Sequence, residues 1–209
     1  MIPVSIKAVR YIPNATTALC RMLGAPEHLP SLGIITTDCD DATYIALDES
    51  TKAADVTVCY GRSFYAGAAN ASTPNAGEVI GILCGKNPGS VRSGMEAVLS
   101  ALERIGFEEV RGVPYLAYTI ASCGSFLASE AGVPIGSALA YLIAPPLESM
   151  AAMDAALKAA DVRLCKLYPP PSETNFGGGI LTGTQSACSI ACDSFRAAVE
   201  AIAMQPIEG

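Results

Sequence analysis

The sequence predicts an α/β (α+β) fold built from two copies of one small module, each a four-stranded sheet with helices layered on it. Two observations carry this prediction. An internal repeat runs through most of the 209 residues, and both halves show the same order of strand-like and helix-like segments. A third observation, the high apolar content, predicts that the modules pack against other subunits.

The repeat is clearest in one five-residue identity. Lys52-Ala53-Ala54-Asp55-Val56 recurs 106 positions later as Lys158-Ala159-Ala160-Asp161-Val162. Further matches at the same offset pair Ser31 with Ser137, Asp48 with Asp154, and Cys59 with Cys165. Since these matches are co-linear across both halves, we predict a first domain at residues 1–108 and a second at 109–209.

The first half illustrates the order of elements. Alternating and continuous apolar runs predict strands at 5–12, 32–36, 56–60 and 78–84. We predict helices from Asn14 to Gly24, from Asp40 or Asp41 to Ala54, and after Asn87, whose side chain can cap a helix that starts with Pro88. The second half repeats this order and ends in a helix with one apolar face, formed by Ala191, Phe195, Ala198 and Ile202.

The composition indicates what covers the apolar surface of the chain. Hydrophobic residues make up 51% and charged residues 16%, with a mean hydropathy of +0.37. The longest uncharged runs contain prolines and glycine clusters, which a membrane-spanning helix does not favour, and the chain has no Trp and no recognisable signal peptide. We therefore expect no membrane partner, and we expect neighbouring subunits to cover the apolar surface.

Charge and cysteine usage exclude further classes. The net charge of −7 argues against nucleic acid as a partner, because nucleic-acid binding needs a basic face. The eight cysteines include no C-x-x-C pair, so we expect free thiols in a reducing compartment, no structural zinc and no cofactor.

Two long loops occupy matching positions between strands. They are the segments Ser63 to Gly77 and Tyr168 to Gly179, rich in small residues, proline and glycine. Loops of this length are either plain surface loops or functional flaps. In the second interpretation, Tyr65 and Phe176 supply bulky groups that can plug a hole.

Several segments resemble the bacterial microcompartment shell domain, a mainly antiparallel sheet with flanking helices. They are Leu32-Gly33-Ile34-Ile35, the stretch from Asp48 to Val56, and Gly77-Glu78-Val79-Ile80-Gly81. Arg10-Tyr11-Ile12-Pro13-Asn14 resembles a stretch that most members carry near the C-terminus, which implies circularly permuted domains. Longer segments, at 38–44, 139–148 and 169–176, resemble the tandem-domain shell proteins of ethanolamine-utilising microcompartments.

This resemblance implies a homotrimer that imitates a hexamer and joins other shell proteins in the shell of a cytoplasmic compartment. It implies small pores for ethanolamine, with Asp40, Glu78 and Phe107 as ligand-binding residues. It also implies a gated central pore that admits something bulkier, such as a cobalamin-type cofactor. The implied gating residues are Tyr65, Ala66, Gly67, Glu173, Asn175 and Phe176, and the implied tile-edge contacts are Lys52 and Lys158.

Simpler readings of the same residues stay open. Asp40 suits a helix N-cap, Glu78 a charge at the start of a strand, and Lys52 and Lys158 solvated lysines near helix ends. The alternatives for the whole chain are a duplicated small-molecule sensor or binding protein, and a shell protein of a related diol- or ethanol-utilising compartment. An enzyme is not expected, because the single histidine, His28, has no features of a catalytic group.

Overall fold

The computed structural model describes residues 1–64, 78–170, 172 and 174–207. The chain forms two compact units. The first unit comprises Pro3–Gly106 and Gly124–Leu127, and the second comprises Met1–Ile2, Phe107–Cys123 and Ala128–Gly209. A short segment from the second half of the sequence therefore belongs to the first unit. Whether 108/109 is also the border between two family domains stays a prediction.

The first unit contains a four-stranded antiparallel sheet of order β1-β2-β4-β3. Its strands are β1 (Ile6–Ile12), β2 (Ser31–Thr37), β3 (Val56–Phe64) and β4 (Glu78–Gly85). Its helices are α1 (Thr17–Met22), α2 (Asp40–Ala53) and α3 (Pro88–Leu102).

Alternation along the strands of the first unit separates two apolar layers. On one face, Leu32, Ile82 and Cys84 pack with Cys20 of α1. On the other face, a Cβ atom added to Gly81 would meet Leu47 of α2, and one added to Gly33 would meet α3. The sheet is thus covered by α1 on one side and by α2 and α3 on the other.

The second unit contains a five-stranded antiparallel sheet of order β5-β6-β7-β9-β8. The strands are β5 (Glu108–Val110), β6 (Val113–Ile120), β7 (Ala138–Ala144), β8 (Val162–Tyr168) and β9 (Gly177–Gly183), and the helices are α5 (Pro146–Ala159) and α6 (Gln185–Met204). Helix α4 (Ser125–Ala131) is divided, since its residues up to Leu127 belong to the first unit and those from Ala128 to the second. Its core joins alternate residues of β7 to α5 and α6, through Met153, Ala191 and Phe195 among others.

The two sheets share their order apart from β5, so the predicted pair of antiparallel sheets with flanking helices is confirmed. A finer feature repeats as well. The pairing of β3 with β4 shifts register between Val58 and Tyr60, and that of β8 with β9 between Leu164 and Lys166. Each shift leaves one cysteine, Cys59 or Cys165, in a β-bulge at the same position of the repeat.

Two details differ from the sequence prediction. The first helix is capped by Thr16, whose side chain accepts a hydrogen bond from the Leu19 N–H, so Asn14 as the cap is wrong. The short strand β5 was not predicted. It forms a hairpin with β6 through Arg111 and Gly112, whose φ angles of 50° and 82° are those of a two-residue turn matching the twist of the strands.

Candidate functional site

Asp40 is a buried carboxylate at the start of α2. It is the first residue of the helix rather than its cap, since Cys39 occupies the cap position without a side-chain hydrogen bond. The side chain is only 4% exposed, and its Oδ1 accepts the Asp41 N–H at 2.9 Å. Burial raises the pKa of Asp40 to about 6, although hydrogen bonds from Ser63 and the main chain oppose that rise.

Glu78 lies at the same end of the sheet as Asp40. It begins β4 and pairs with Phe64, while the next residue, Val79, pairs with Ser63. The Ser63 hydroxyl is hydrogen-bonded to Asp40 and to the Tyr44 hydroxyl, the latter at 2.7 Å. The strand pairing therefore brings both predicted ligand-binding carboxylates to one edge of the first unit, where Glu78 is half-buried.

A neighbouring acid, Asp38, has a structural role. Its Oδ1 accepts the Ser5 N–H at 2.7 Å, and the Lys7 ammonium lies 3.7 Å from its Oδ2. Asp38 thus fixes the start of the chain beside the end of β2. Among the described residues, no group of three or more His, Cys, Asp or Glu side chains is arranged to hold a metal ion.

Phe107 belongs to the second unit and is fully buried there, with 0% exposure. Its ring packs on Phe176, with 5.6 Å between centroids and 31° between planes. Its carbonyl accepts the Ile2 N–H at 2.6 Å. An aromatic pair therefore joins a residue predicted for the small pore to one predicted for the central pore. A site shared by Phe107 with Asp40 and Glu78 stays a prediction.

The predicted gating residues are described only in part. Asn175 is exposed and Phe176 is half-buried. Tyr65, Ala66, Gly67 and Glu173 lie outside the described residues, and their role stays a prediction from the sequence.

The two predicted tile-edge lysines occupy matching helix ends with different exposure. Lys52 ends α2 and lies 2.6 Å from Glu49, with 28% of its side chain exposed. Lys158 ends α5 and lies 2.5 Å from Asp154, with 74% exposed. The Lys158 side chain is therefore the more accessible of the two on the single chain.

The sequence reasoning missed the contact that fixes Gly124–Leu127 on the first unit. The Asp48 carboxylate, 0% exposed, accepts the Gly124 N–H at 2.6 Å and the Leu127 N–H at 2.8 Å. Beside it, Thr51 accepts the Ser125 N–H at 3.0 Å. The match of Asp48 with Asp154 was visible in the repeat, but it gave no sign that only one of the two is buried.

The fold and a match to a protein family define the class of this protein. The BMC domain family model matches residues 31–113, and the described part of the chain has no helix long and apolar enough to cross a bilayer. The class is that of the bacterial microcompartment shell-domain proteins.

Full-length relatives narrow this class. The bacterial microcompartment shell protein EutL of Clostridium perfringens (strain 13 / Type A) is 52% identical, over 97% of this chain and 95% of its own. EutL of Salmonella typhimurium is 47% identical over 98% of this chain and 95% of its own. The crystal structure of ethanolamine utilization protein EutL from Leptotrichia buccalis C-1013-b superposes with a TM-score of 0.94 at 53% identity, covering 100% of this chain and 98% of that one. The chain belongs to the EutL family of bacterial microcompartment shell proteins.

Proposed function

We propose that the chain is a structural, non-catalytic tile in the shell of an ethanolamine-utilising microcompartment, and that it works as a homotrimer with pores. The observation that carries the proposal is the duplication. Each chain supplies two sheets of the same order, so three chains supply six modules around one axis. Identity near 50% along nearly the whole chain supports the same role.

A contact inside the first unit supports the trimer. The start of α4, at Gly124–Leu127, packs on α2 through Asp48, which is fully buried. In the repeat, Asp154 of α5 corresponds to Asp48, yet its side chain is 64% exposed. The exposed surface of α5 around Asp154 can therefore accept a matching segment from a second chain.

The helix that corresponds to α4 in the repeat, α1, also has exposed apolar side chains. The start of α1 corresponds to the start of α4 in the repeat, and around it Leu19 is 39% exposed and Met22 is 84% exposed. In the first turn of α5, Leu147 is 62% exposed. We infer that α1 of one chain packs on α5 of the next. Two different surfaces that fit each other build a ring when the rotation closes.

The small pore is proposed to bind ethanolamine at Asp40 and Glu78, with Phe107 as an aromatic wall. The support is chemical. Ethanolamine carries an ammonium group at neutral pH, and carboxylates offer it charge-assisted hydrogen bonds. Asp40 is buried at an energetic cost, and a bound cation would offset that cost.

For the central pore we propose gating by the loops at 63–77 and 168–178, with passage of a bulkier solute such as a cobalamin-type cofactor. The supporting observation in the described part is Phe176, a half-buried aromatic ring that rests on Phe107. The contact between the two rings contributes about 1 kcal/mol beyond the apolar area that it buries, so this part of the packing can be exchanged at modest cost.

Electron microscopy of concentrated protein tests the shell role. The wild type is expected to form extended sheets or tubes. Lys158→Glu is expected to leave discrete particles, because Lys158 is an exposed predicted edge contact. Arg163→Glu, at an exposed position of β8, serves as the charge-matched control and should still assemble. Discrete particles from the wild type at every concentration would favour a sensor or binding protein instead.

A further inference from the structure

Two cysteine side chains meet across β3 and β4 of the first unit. The Cys59 Sγ lies 3.5 Å from the Ile82 carbonyl on β4, and the Cys84 Sγ lies 3.5 Å from the Thr57 carbonyl on β3. Each sulfur thus reaches over the other residue's strand. Both belong to the apolar layer beneath α1, and the two thiols are hydrogen-bonded to each other.

The two thiols differ in access. Cys59 sits in the bulge of β3, which is an edge strand, and it is partly exposed. Cys84 is 0% exposed. Their hydrogen bond raises the pKa of Cys59 and lowers the pKa of Cys84. Access confines the first attack on a disulfide to Cys59, and the raised pKa of Cys59 makes that attack the slow step. The lowered pKa of Cys84 favours the second attack, which takes place within the protein.

The repeat supplies an internal comparison. Cys165 occupies the matching bulge of β8 and is also partly exposed. At the position of Cys84, however, β9 carries Thr182, which pairs with Arg163 as Cys84 pairs with Thr57. The fold therefore accepts a hydroxyl where the first unit has a thiol, and the thiol pair is not needed to build the sheet.

We propose that Cys59 and Cys84 are a reversible disulfide site that reacts with small disulfides of the glutathione type. In the first step, the deprotonated Cys59 sulfur attacks one sulfur of oxidised glutathione. The glutathione S–S bond breaks, a mixed disulfide forms on Cys59, and one glutathione leaves with the proton that Cys59 gave up.

In the second step, the Cys84 sulfur attacks the Cys59 sulfur. The mixed disulfide breaks, the Cys59–Cys84 bond forms, and the second glutathione leaves with the proton from Cys84. Two protein thiols are oxidised by two electrons, and one glutathione disulfide is reduced to two thiols. Because Cys165 has no thiol at the Thr182 position, its reaction stops after the first step.

Peptide mapping of the native protein after incubation with oxidised glutathione, without a reducing agent, tests the proposal. In the wild type, the expected products are a Cys59–Cys84 cross-link and a mixed disulfide at Cys165. In Cys84→Ser, which copies the hydroxyl of Thr182, glutathione is expected to stay on Cys59. In Cys59→Ser, Cys84 is expected to remain unmodified because it is buried.

A gain-of-function variant keeps the test decisive. Thr182→Cys is expected to convert the mixed disulfide at Cys165 into a cross-link between Cys165 and the introduced thiol. The circular dichroism spectrum of each variant shows whether it is folded. The proposal is overturned if folded wild type retains glutathione on Cys59 as Cys165 does, or if Cys59 links instead to Cys20, the third thiol of the same apolar layer.

Discussion

At the scale of single residues, Asp40 is the group whose surroundings demand most explanation. A carboxylate with 4% exposure has lost nearly all its contact with water. Hydrogen bonds from Ser63 and the Asp41 N–H replace part of that hydration, but the pKa of Asp40 still rises to about 6. The folded protein therefore holds the charged form at a cost of about 3 kcal/mol relative to water.

The cost predicts a pH-dependent stability. The folded-state pKa of Asp40 lies above that of the unfolded chain, so its contribution is fully present below about pH 4 and is lost as the pH rises through about 6. Asp40→Asn cannot ionise and lacks this change. Denaturant unfolding at pH 4 and pH 7 should show the variant gaining up to about 3 kcal/mol relative to wild type over that interval. An unchanged difference between the two proteins at both pH values would refute the assignment.

The same pKa predicts how ethanolamine binding responds to pH. The ammonium needs the ionised Asp40, so the affinity should be level between about pH 7 and pH 8, where the ligand keeps its proton, and fall below pH 6, approaching tenfold per pH unit. Isothermal titration calorimetry at several pH values measures this. Asp40→Asn and Glu78→Gln should both weaken binding, while Glu148→Gln, in the first turn of the matching helix α5, should not. Unaltered affinity in both site variants would remove the small-pore assignment.

The sequence predicts which residues belong to this site, but it does not predict how they are positioned or how deeply they are buried. Asp40 and Glu78 were found through resemblance to a family. Their shared position at one end of the sheet follows from the β3–β4 pairing, in which Ser63 stands opposite Val79. That pairing contains a bulge at Cys59, and a bulge shifts every later residue of the strand by one position, so alternation alone does not give the register.

At the scale of elements, α2 and α5 show how duplicated helices acquire different roles. Asp48 and Asp154 hold the same position of the repeat. Asp48 receives two main-chain N–H groups and is buried, whereas Asp154 pairs with Lys158 one turn later and is exposed. The difference comes from the segment Gly124–Leu127, which covers α2.

Replacing Asp48 by Asn should therefore destabilise the protein. An amide offers one acceptor and turns a donor toward the second N–H group, which leaves a buried N–H without a partner. We expect a loss of about 1 to 3 kcal/mol in the free energy of unfolding, measured by urea denaturation. Asp193→Asn, at an exposed position of α6, is the control and should change stability by less than about 0.5 kcal/mol. Equal stability of the Asp48 variant and wild type would show that the hydrogen bonds from Asp48 to the segment Gly124–Leu127 do not stabilise the fold.

The glycine run at the start of β9 gives a second prediction for an element. Gly178 has φ +150°, and a Cβ atom there would lie 1.9 Å from the Leu142 carbonyl of the paired strand. Gly178→Ala should cost at least about 3 kcal/mol, because the sheet must separate to admit the methyl group. Gly112→Ala, at φ +82° with nothing within 4 Å, should cost only about 1 kcal/mol of backbone strain. Thermal unfolding of both variants measures the two losses of stability. Similar losses would show that the close approach of Gly178 to Leu142 does not determine the cost of the substitution.

Elements were predictable from sequence where a local signal is strong. Asn87 followed by Pro88 begins α3 as predicted, with the Asn87 side chain accepting the Ser90 N–H. The signal for the first helix is weaker, because Asn14 and Thr16 both have side chains that can accept an N–H group, and in the structure Thr16 accepts the Leu19 N–H. The turn at Arg111 went unrecognised since few non-glycine residues adopt a positive φ.

At the scale of the whole molecule, the apolar composition and the duplication have one common explanation. The chain is 51% hydrophobic, and exposed apolar side chains remain on its surface, including Met22, Ile135 and Leu147. The surface of α2 around Asp48 is covered by the segment Gly124–Leu127 of the same chain, while the matching surface of α5 around Asp154 is exposed. In the proposed ring, identical neighbours would cover that surface without creating a new kind of contact.

Sedimentation equilibrium of the purified wild type tests this account most directly. The account predicts a particle of three times the chain mass of 21.5 kDa that persists on dilution. Asp154→Arg, which places a bulky cation on the uncovered surface of α5, should shift it toward the mass of one chain. A wild type that sediments as a stable monomer would contradict the account.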